Sequence, residues 1–365
     1  MTDTSKGRII FLDYMRIFAF VSVIIGHQFF LEINYASIDQ SYHVSIRNIA
    51  EALIPITLGG AAGVLVFFLT SGYIISHVLQ REIPHEFLIR RVFRIYPLYI
   101  FAILAQIATD HYIGGIPLPP ASVWIPRALL IGDFFDVPNA LAGVEWTLRV
   151  EIMFYALMAT LKHSHIIDRP KYLPTVYLLI SLALFYASPF PNAPGLSTDY
   201  FNLYFPFLLI GSCIYLAERN LASTNNCIFV SLAIIYLFLV SIPSTQPNWK
   251  ESNYALLAVA IFVISWMFRH HFKDGRLISL LSNMTYSVYL FHNWMWPYLT
   301  SAVETAGFQI APVKLQVLAL TLIICYALHA TIEKFGLQVG RSAIEASREA
   351  LSAIKGKRLR SAASQ

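Results

Sequence analysis

Charge is what this sequence has least of. Only 13% of its 365 residues are Asp, Glu, Lys or Arg, against about a quarter in soluble domains. With 57% hydrophobic residues and a mean hydropathy of +0.59, the composition excludes an ordinary soluble protein. It predicts an all-α polytopic membrane protein built as a single helical bundle. Cysteine is scarce as well. Cys213, Cys227 and Cys325 show no metal or redox spacing and fall in or beside apolar segments, so packing roles are expected, with neither a disulfide nor a metal centre. No internal repeat is evident, which weakens a transporter of duplicated halves. The net charge of +5 does not point to nucleic acid. Seven of the 26 Lys and Arg lie from Lys334 onward, and the basicity reads as membrane topology.

Apolar runs between charged loops predict about ten spans, near 9–30, 58–79, 92–112, 144–163, 172–190, 199–218, 226–243, 253–269, 277–300 and 313–333. Segment 121–135 is short and amphipathic and holds Pro126 and Arg127; it reads as a re-entrant or interfacial helix, or as an eleventh span. With the N-terminus inside, the inner connections carry most of the basic residues, from Lys6 and Arg8 to the tail. The outer ones carry Arg47, Arg127, Lys250 and Lys314. This asymmetry predicts both termini in the cytoplasm. Residues 1–341 then form the transmembrane domain and 342–365 a basic cytoplasmic tail, expected as a surface helix. The first segment is longer than a signal-peptide core, carries charge and lacks a small-residue cleavage site, so it is expected to be a retained anchor.

That first segment, IIFLDYMRIFAFVSVIIGHQFF, holds Asp13, Arg16 and His27 among apolar neighbours. Ionisable groups in a span cost several kcal/mol, so each is a functional candidate. Eleven steps lead from Arg16 to His27, which places them on nearly one helix face about 16 Å apart. Asp13, three residues before Arg16, is its expected ion-pair partner.

Four further constellations stand out. Arg90, Arg91 and Arg94 cluster in FLIRRVFRIYPLY; three guanidiniums suit a polyphosphate, and equally a positive-inside anchor on lipid headgroups. Trp146, Glu151 and Tyr155 enter the fourth span. A carboxylate below the interface needs a partner there, and His27 is the expected one, since Arg149 is badly placed. Ser71, in Phe67-Phe68-Leu69-Thr70-Ser71-Gly72-Tyr73, lacks an adjacent base and a nucleophile-elbow context. Close helix approach explains that run better than a nucleophile does. Tyr289 and His292 share a face of the ninth span, whose outer end Pro297 is expected to bend. Glu333, closing the last span, is expected to pair with basic residues.

Taken together, in order along nearly the whole chain, these segments resemble the acyltransferase-3 family of integral-membrane O-acyltransferases, which modify bacterial surface polysaccharides and related glycans. The resemblance rests on Asp13, Arg16 and His27; on Phe67-Phe68 to Ser71-Gly72-Tyr73; on Arg90-Arg91, Arg94-Ile95 and Pro97-Leu98-Tyr99; on Trp146-Thr147-Leu148, Glu151 and Phe154-Tyr155; and on Tyr286, Tyr289-Leu290 and His292. Thr285 replaces a usual serine, and Ile100 stands where a Trp often follows.

The resemblance implies transfer of an acyl group, usually acetyl, from cytoplasmic acyl-coenzyme A (acetyl-CoA) to a hydroxyl of an external, lipid-linked glycan. The setting implied is a bacterial inner membrane. Acyl-CoA is a donor substrate rather than a bound cofactor, and membrane lipids are the other partners. In that light Arg90, Arg91 and Arg94 would take the donor phosphates, and His27 would be general base or acyl carrier. Glu151 would orient it, with Asp13 and Arg16 holding charge along the path and Trp146, Tyr155, Ser71, Tyr289 and His292 lining the substrate cavity. A transporter of a lipid-linked glycan is the alternative from another class.

Overall fold

The computed structural model describes residues 8–192, 198–247, 253–307 and 310–362, and its elements there are all helices. Lys6 and Lys250 lie outside these residues. In chain order the helices are α1 (Ile10–Gln28), α2 (Phe30–Ile38), α3 (Val44–Thr57), α4 (Ala61–Val78), α5 (Pro84–Tyr112), α6 (Ala121–Ala128), α7 (Trp146–His163) and α8 (Leu173–Tyr186). They continue as α9 (Tyr200–Glu218), α10 (Thr224–Thr245), α11 (Tyr254–Met267), α12 (Arg276–Phe291), α13 (Trp296–Ala306), α14 (Val313–Leu328) and α15 (Lys334–Ala362). Each expected span has a helix in its place. Six segments are long and apolar enough to cross a bilayer: Ile10–Gln28, Val44–Val78, Pro84–Tyr112, Tyr200–Glu218, Thr224–Thr245 and Val313–Ala350. The chain is therefore a multi-pass membrane protein. Helix α7 misses that standard because Arg149, Glu151 and Lys162 interrupt it, and α8, α11 and α12 because they are short.

The core forms around α4, which is buried on nearly all sides and packs on α1, α9 and α11. Apolar burial does little to hold helices together in lipid, so close approach and interhelical hydrogen bonds carry the load. Glycine supplies the approach between α4 and α9. A Cβ at Gly72 would run into the Leu208 carbonyl, and one at Gly211 into the Leu69 carbonyl. Beside this crossing Ser76 donates to Ser212 at 2.6 Å, and Tyr73 donates to Glu218 at 2.7 Å. The helix-approach reading of the Ser71-Gly72 run thus describes Gly72 well.

Of the two readings of segment 121–135 one is excluded, and one expected span is corrected. Segment 121–135 is not a span: its helix is eight residues long, about 12 Å, far short of a ~30 Å hydrocarbon core. The span expected at 277–300 is two helices rather than one bent helix. Helix α12 stops before His292, and α13 starts with Pro297 in its first turn, where a missing N–H costs nothing. Gln28 Nε2 donates to the His292 carbonyl at 3.2 Å and so satisfies one of the freed groups. At the other end, α14 passes through a π-turn, His329–Glu333, into α15, which runs through residue 341 without a break. Glu333 there accepts from His329 at 2.9 Å.

Candidate active site

The stripe on α1 is held by α12. Asp13 is 1% exposed. Arg8 Nε lies 2.5 Å from its carboxylate and Arg16 Nη1 3.4 Å, and Ser282 Oγ donates to it at 2.6 Å. Arg8 also donates to Ser279 at 2.7 Å. The expected Asp13–Arg16 pair is present, with Arg8 as a second and closer cation.

Arg16 faces a central cavity of about 200 Å³ between α1, α4, α5, α7 and α12, with Ser71, Arg91, Arg94, Glu151 and Tyr155 around it. Glu151 does not meet His27. Its carboxylate accepts from Ser71 Oγ at 2.8 Å and from Tyr155 Oη, one turn along α7. The Arg91 guanidinium sits over the Phe87 and Tyr155 rings, 5.3 and 5.8 Å from their centres. A buried carboxylate, two hydroxyl donors and a nearby cation make a satisfied polar cluster of the kind a membrane interior requires. Arg149, as expected, turns away from Glu151 and pairs with Asp133 and Glu145.

His27 opens into a second cavity, of about 220 Å³, with Trp146, Asn139, Tyr204 and Gln246. Gly59 lines the same cavity. Gln28 Nε2 donates to Asn293 at 3.3 Å, and Asn293 Nδ2 donates to the Ala142 carbonyl at 3.1 Å. The His292 ring stands edge-on to His27, with centres 5.1 Å apart. Its Nδ1 lies 2.8 Å from the Tyr289 carbonyl and is therefore the N–H donor. That leaves Nε2 as a buried lone pair with no donor facing it among the described residues.

Val23, Val64 and Tyr289 line both cavities, which meet at this shared wall. Tyr289 is pinned there: it donates to the Val144 carbonyl at 2.8 Å, accepts from Thr147 at 2.7 Å and stacks on Phe67. At the other end Arg91 and Arg94 also line a third cavity, where Arg90 lies beside Glu82. Arg90 is the one arginine of the three absent from the central cavity.

The fold thus gathers Arg16, Arg91, Arg94, Ser71, Glu151, Tyr155 and Tyr289 at one cavity, and His27, Trp146 and Tyr289 at the next. Asp13 and His292 stand behind the walls. Asn293 was not singled out by pattern, and Thr147 stood out only within the Trp146-Thr147-Leu148 run. Their neighbours Tyr289, His292 and Trp146 were the available signal. Among the described residues no cluster of three His, Cys, Asp or Glu could hold a metal ion.

The pattern of the family described as "Acyltransferase domain" matches residues 9–330. The acyltransferase MdmB of Streptomyces mycarofaciens is 30% identical over 125 residues, a stretch that covers 32% of this chain and 32% of that relative. The match thus spans about a third of the relative's length. No solved structure matches the chain.

Proposed function

The chain belongs to this acyltransferase family, and from that premise we propose that it transfers an acyl group, acetyl foremost, from acyl-CoA to a hydroxyl of a cell-surface or lipid-linked glycan. The observation that carries the reading is the run of three cavities with shared walls: arginines at one end, a buried carboxylate in the middle and an imidazole at the other end. A donor with phosphates at one end and a thioester at the other fits that order, since guanidiniums grip phosphate in planar forks. His27 acts as general base on the acceptor hydroxyl, a proton transfer suited to imidazole near neutral pH. The alkoxide oxygen attacks the thioester carbonyl, forming the C–O bond of the ester and breaking the C–S bond. The coenzyme A thiolate leaves and takes the proton from His27. Glu151 holds Ser71 and Tyr155 in place along the acyl path. Ten spans with both termini in the cytoplasm of a bacterial inner membrane put the arginines on the donor side and His27 on the acceptor side.

The test is incubation of membranes holding the protein with labelled acetyl-CoA and a lipid-linked glycan acceptor. Base-labile label in the glycan, with coenzyme A released in equal amount, is the expected result. Glycan movement across the membrane without coenzyme A release would overturn the reading in favour of a transporter.

A further inference from the structure

The third cavity has a wall that lies outside the family pattern, which ends at residue 330. It is lined by Glu82, Arg90, Arg91 and Arg94, and on the opposite side by Leu337, Gly340 and Arg341 of α15. The helices come together there because Gly336 and Gly340 stand four residues apart on one face. A Cβ at Gly336 would lie 2.7 Å from Pro97 Cγ, and one at Gly340 would lie 2.7 Å from Phe93 Cβ. This is the close approach that small residues four apart allow between membrane helices. Two turns further on, Arg348 grips Glu86 with two hydrogen bonds of 2.6 Å each, tying α15 to the start of α5.

This docking lines a space of about 220 Å³ with four arginines and one carboxylate, and Arg90 also reaches Glu86 at 3.7 Å. Glu82 lies 3.2 Å from Arg90, whereas Arg91, Arg94 and Arg341 have no ion-pair partner among the described residues. Guanidiniums on facing helices that lack a direct ion-pair partner repel one another unless an anion comes between them. A compact ligand with several phosphates offers each a fork to grip.

We propose that Arg341, brought in by the C-terminal helix, completes a phosphate-binding site with Arg90, Arg91 and Arg94, so that the nucleotide end of the donor is clamped between α5 and α15. The inference rests on the acyl-CoA reading above and extends it to a residue outside the shared family pattern. Arg341 is a binding residue here and takes no part in the chemistry.

The experiment uses the full-length protein in phosphatidylcholine nanodiscs, with acetyl-CoA and acetyl-pantetheine, which lacks the phosphates, as alternative donors. Arg341 is exposed, so R341Q should be obtained folded. Loss of one charge-assisted contact should raise the KM for acetyl-CoA about tenfold with kcat unchanged, and leave the KM for acetyl-pantetheine as it was. R341K, which keeps the charge without the fork, should recover part of the loss. An unchanged KM, an equal rise with both donors, or a rise seen only when anionic phosphatidylglycerol is present would each overturn the proposal. The last result would make the cavity a lipid-headgroup site. Failure of the wild-type protein to use either donor would instead strike the acyl-CoA reading beneath it.

Discussion

Asp13 offers the sharpest test of how the α1 stripe is held together. Its carboxylate is 1% exposed and faces Arg8 at 2.5 Å, Arg16 at 3.4 Å and the Ser282 hydroxyl at 2.6 Å. The substitution Asp13→Asn keeps the shape and an acceptor oxygen for Ser282, and removes the one anion between two guanidiniums. Breaking a buried pair from one side costs about 3–5 kcal/mol, because the remaining charge is left without compensation. The Arg8 and Arg16 side chains are 26% and 25% exposed, so screening lowers the figure to about 2–3 kcal/mol. Asp13→Ala also strands the Ser282 donor and should cost about 1 kcal/mol more. Equilibrium unfolding in mixed micelles, followed by tryptophan fluorescence, gives the difference directly. The double variant R8Q/D13N should cost less than the sum of the two single changes, since the pair is lost only once. An Asn variant within about 0.5 kcal/mol of the parent, the usual range for surface changes, would refute the argument and leave the stripe without a structural anchor.

His27→Ala should abolish acyl transfer while the protein stays in the membrane at parental levels; full activity in that variant sinks the assignment. Glu151→Gln swaps a charged acceptor for a neutral one in front of Ser71 and Tyr155. It should lower kcat more than tenfold in acetyl-transfer assays, and an unchanged kcat would reduce Glu151 to a packing residue. Gly72→Val drives a side chain into the Leu208 carbonyl. It should destabilise the α4–α9 crossing by at least about 1–3 kcal/mol, read as a lower unfolding midpoint in the same micelle titration.

The helices were legible because apolar runs between charged loops are a direct physical requirement of the bilayer. Fourteen- and sixteen-residue helices such as α8 and α12 came through because their flanks are charged or proline-bearing. The break at His292 was harder to see. The run from 277 to 300 stays apolar across it, and the groups that satisfy the freed backbone, Gln28 among them, come from a distant helix. Asp13 and Arg16 were paired correctly because three residues on one helix define a contact. The partner of Glu151 was not foreseen, since the register of α7 against α4 is a matter of tertiary packing that spacing along one helix does not define. Ser71 was read as a spacer, yet it both sits beside that crossing and donates to Glu151. The role of α15 was missed for the opposite reason. Its signal, Gly336-Leu337-Gln338-Val339-Gly340-Arg341, is present in the sequence, but its target lies some 240 residues upstream.

The separation of Glu151 from His27 sorts the charge in the bundle. In a hydrolase triad a carboxylate orients the histidine and stabilises its charged form. Here the group packed on His27 is a second imidazole, that of His292, whose free lone pair is buried. The carboxylates Asp13 and Glu151 lie instead on the side of Arg8, Arg16, Arg91 and Arg94, where cations compensate them. This sorting avoids an uncompensated charge at membrane depth around His27. The wall of Val23, Val64 and Tyr289 divides these two environments. With Tyr289 pinned by Val144, Thr147 and Phe67, that wall is where ionic packing gives way to neutral.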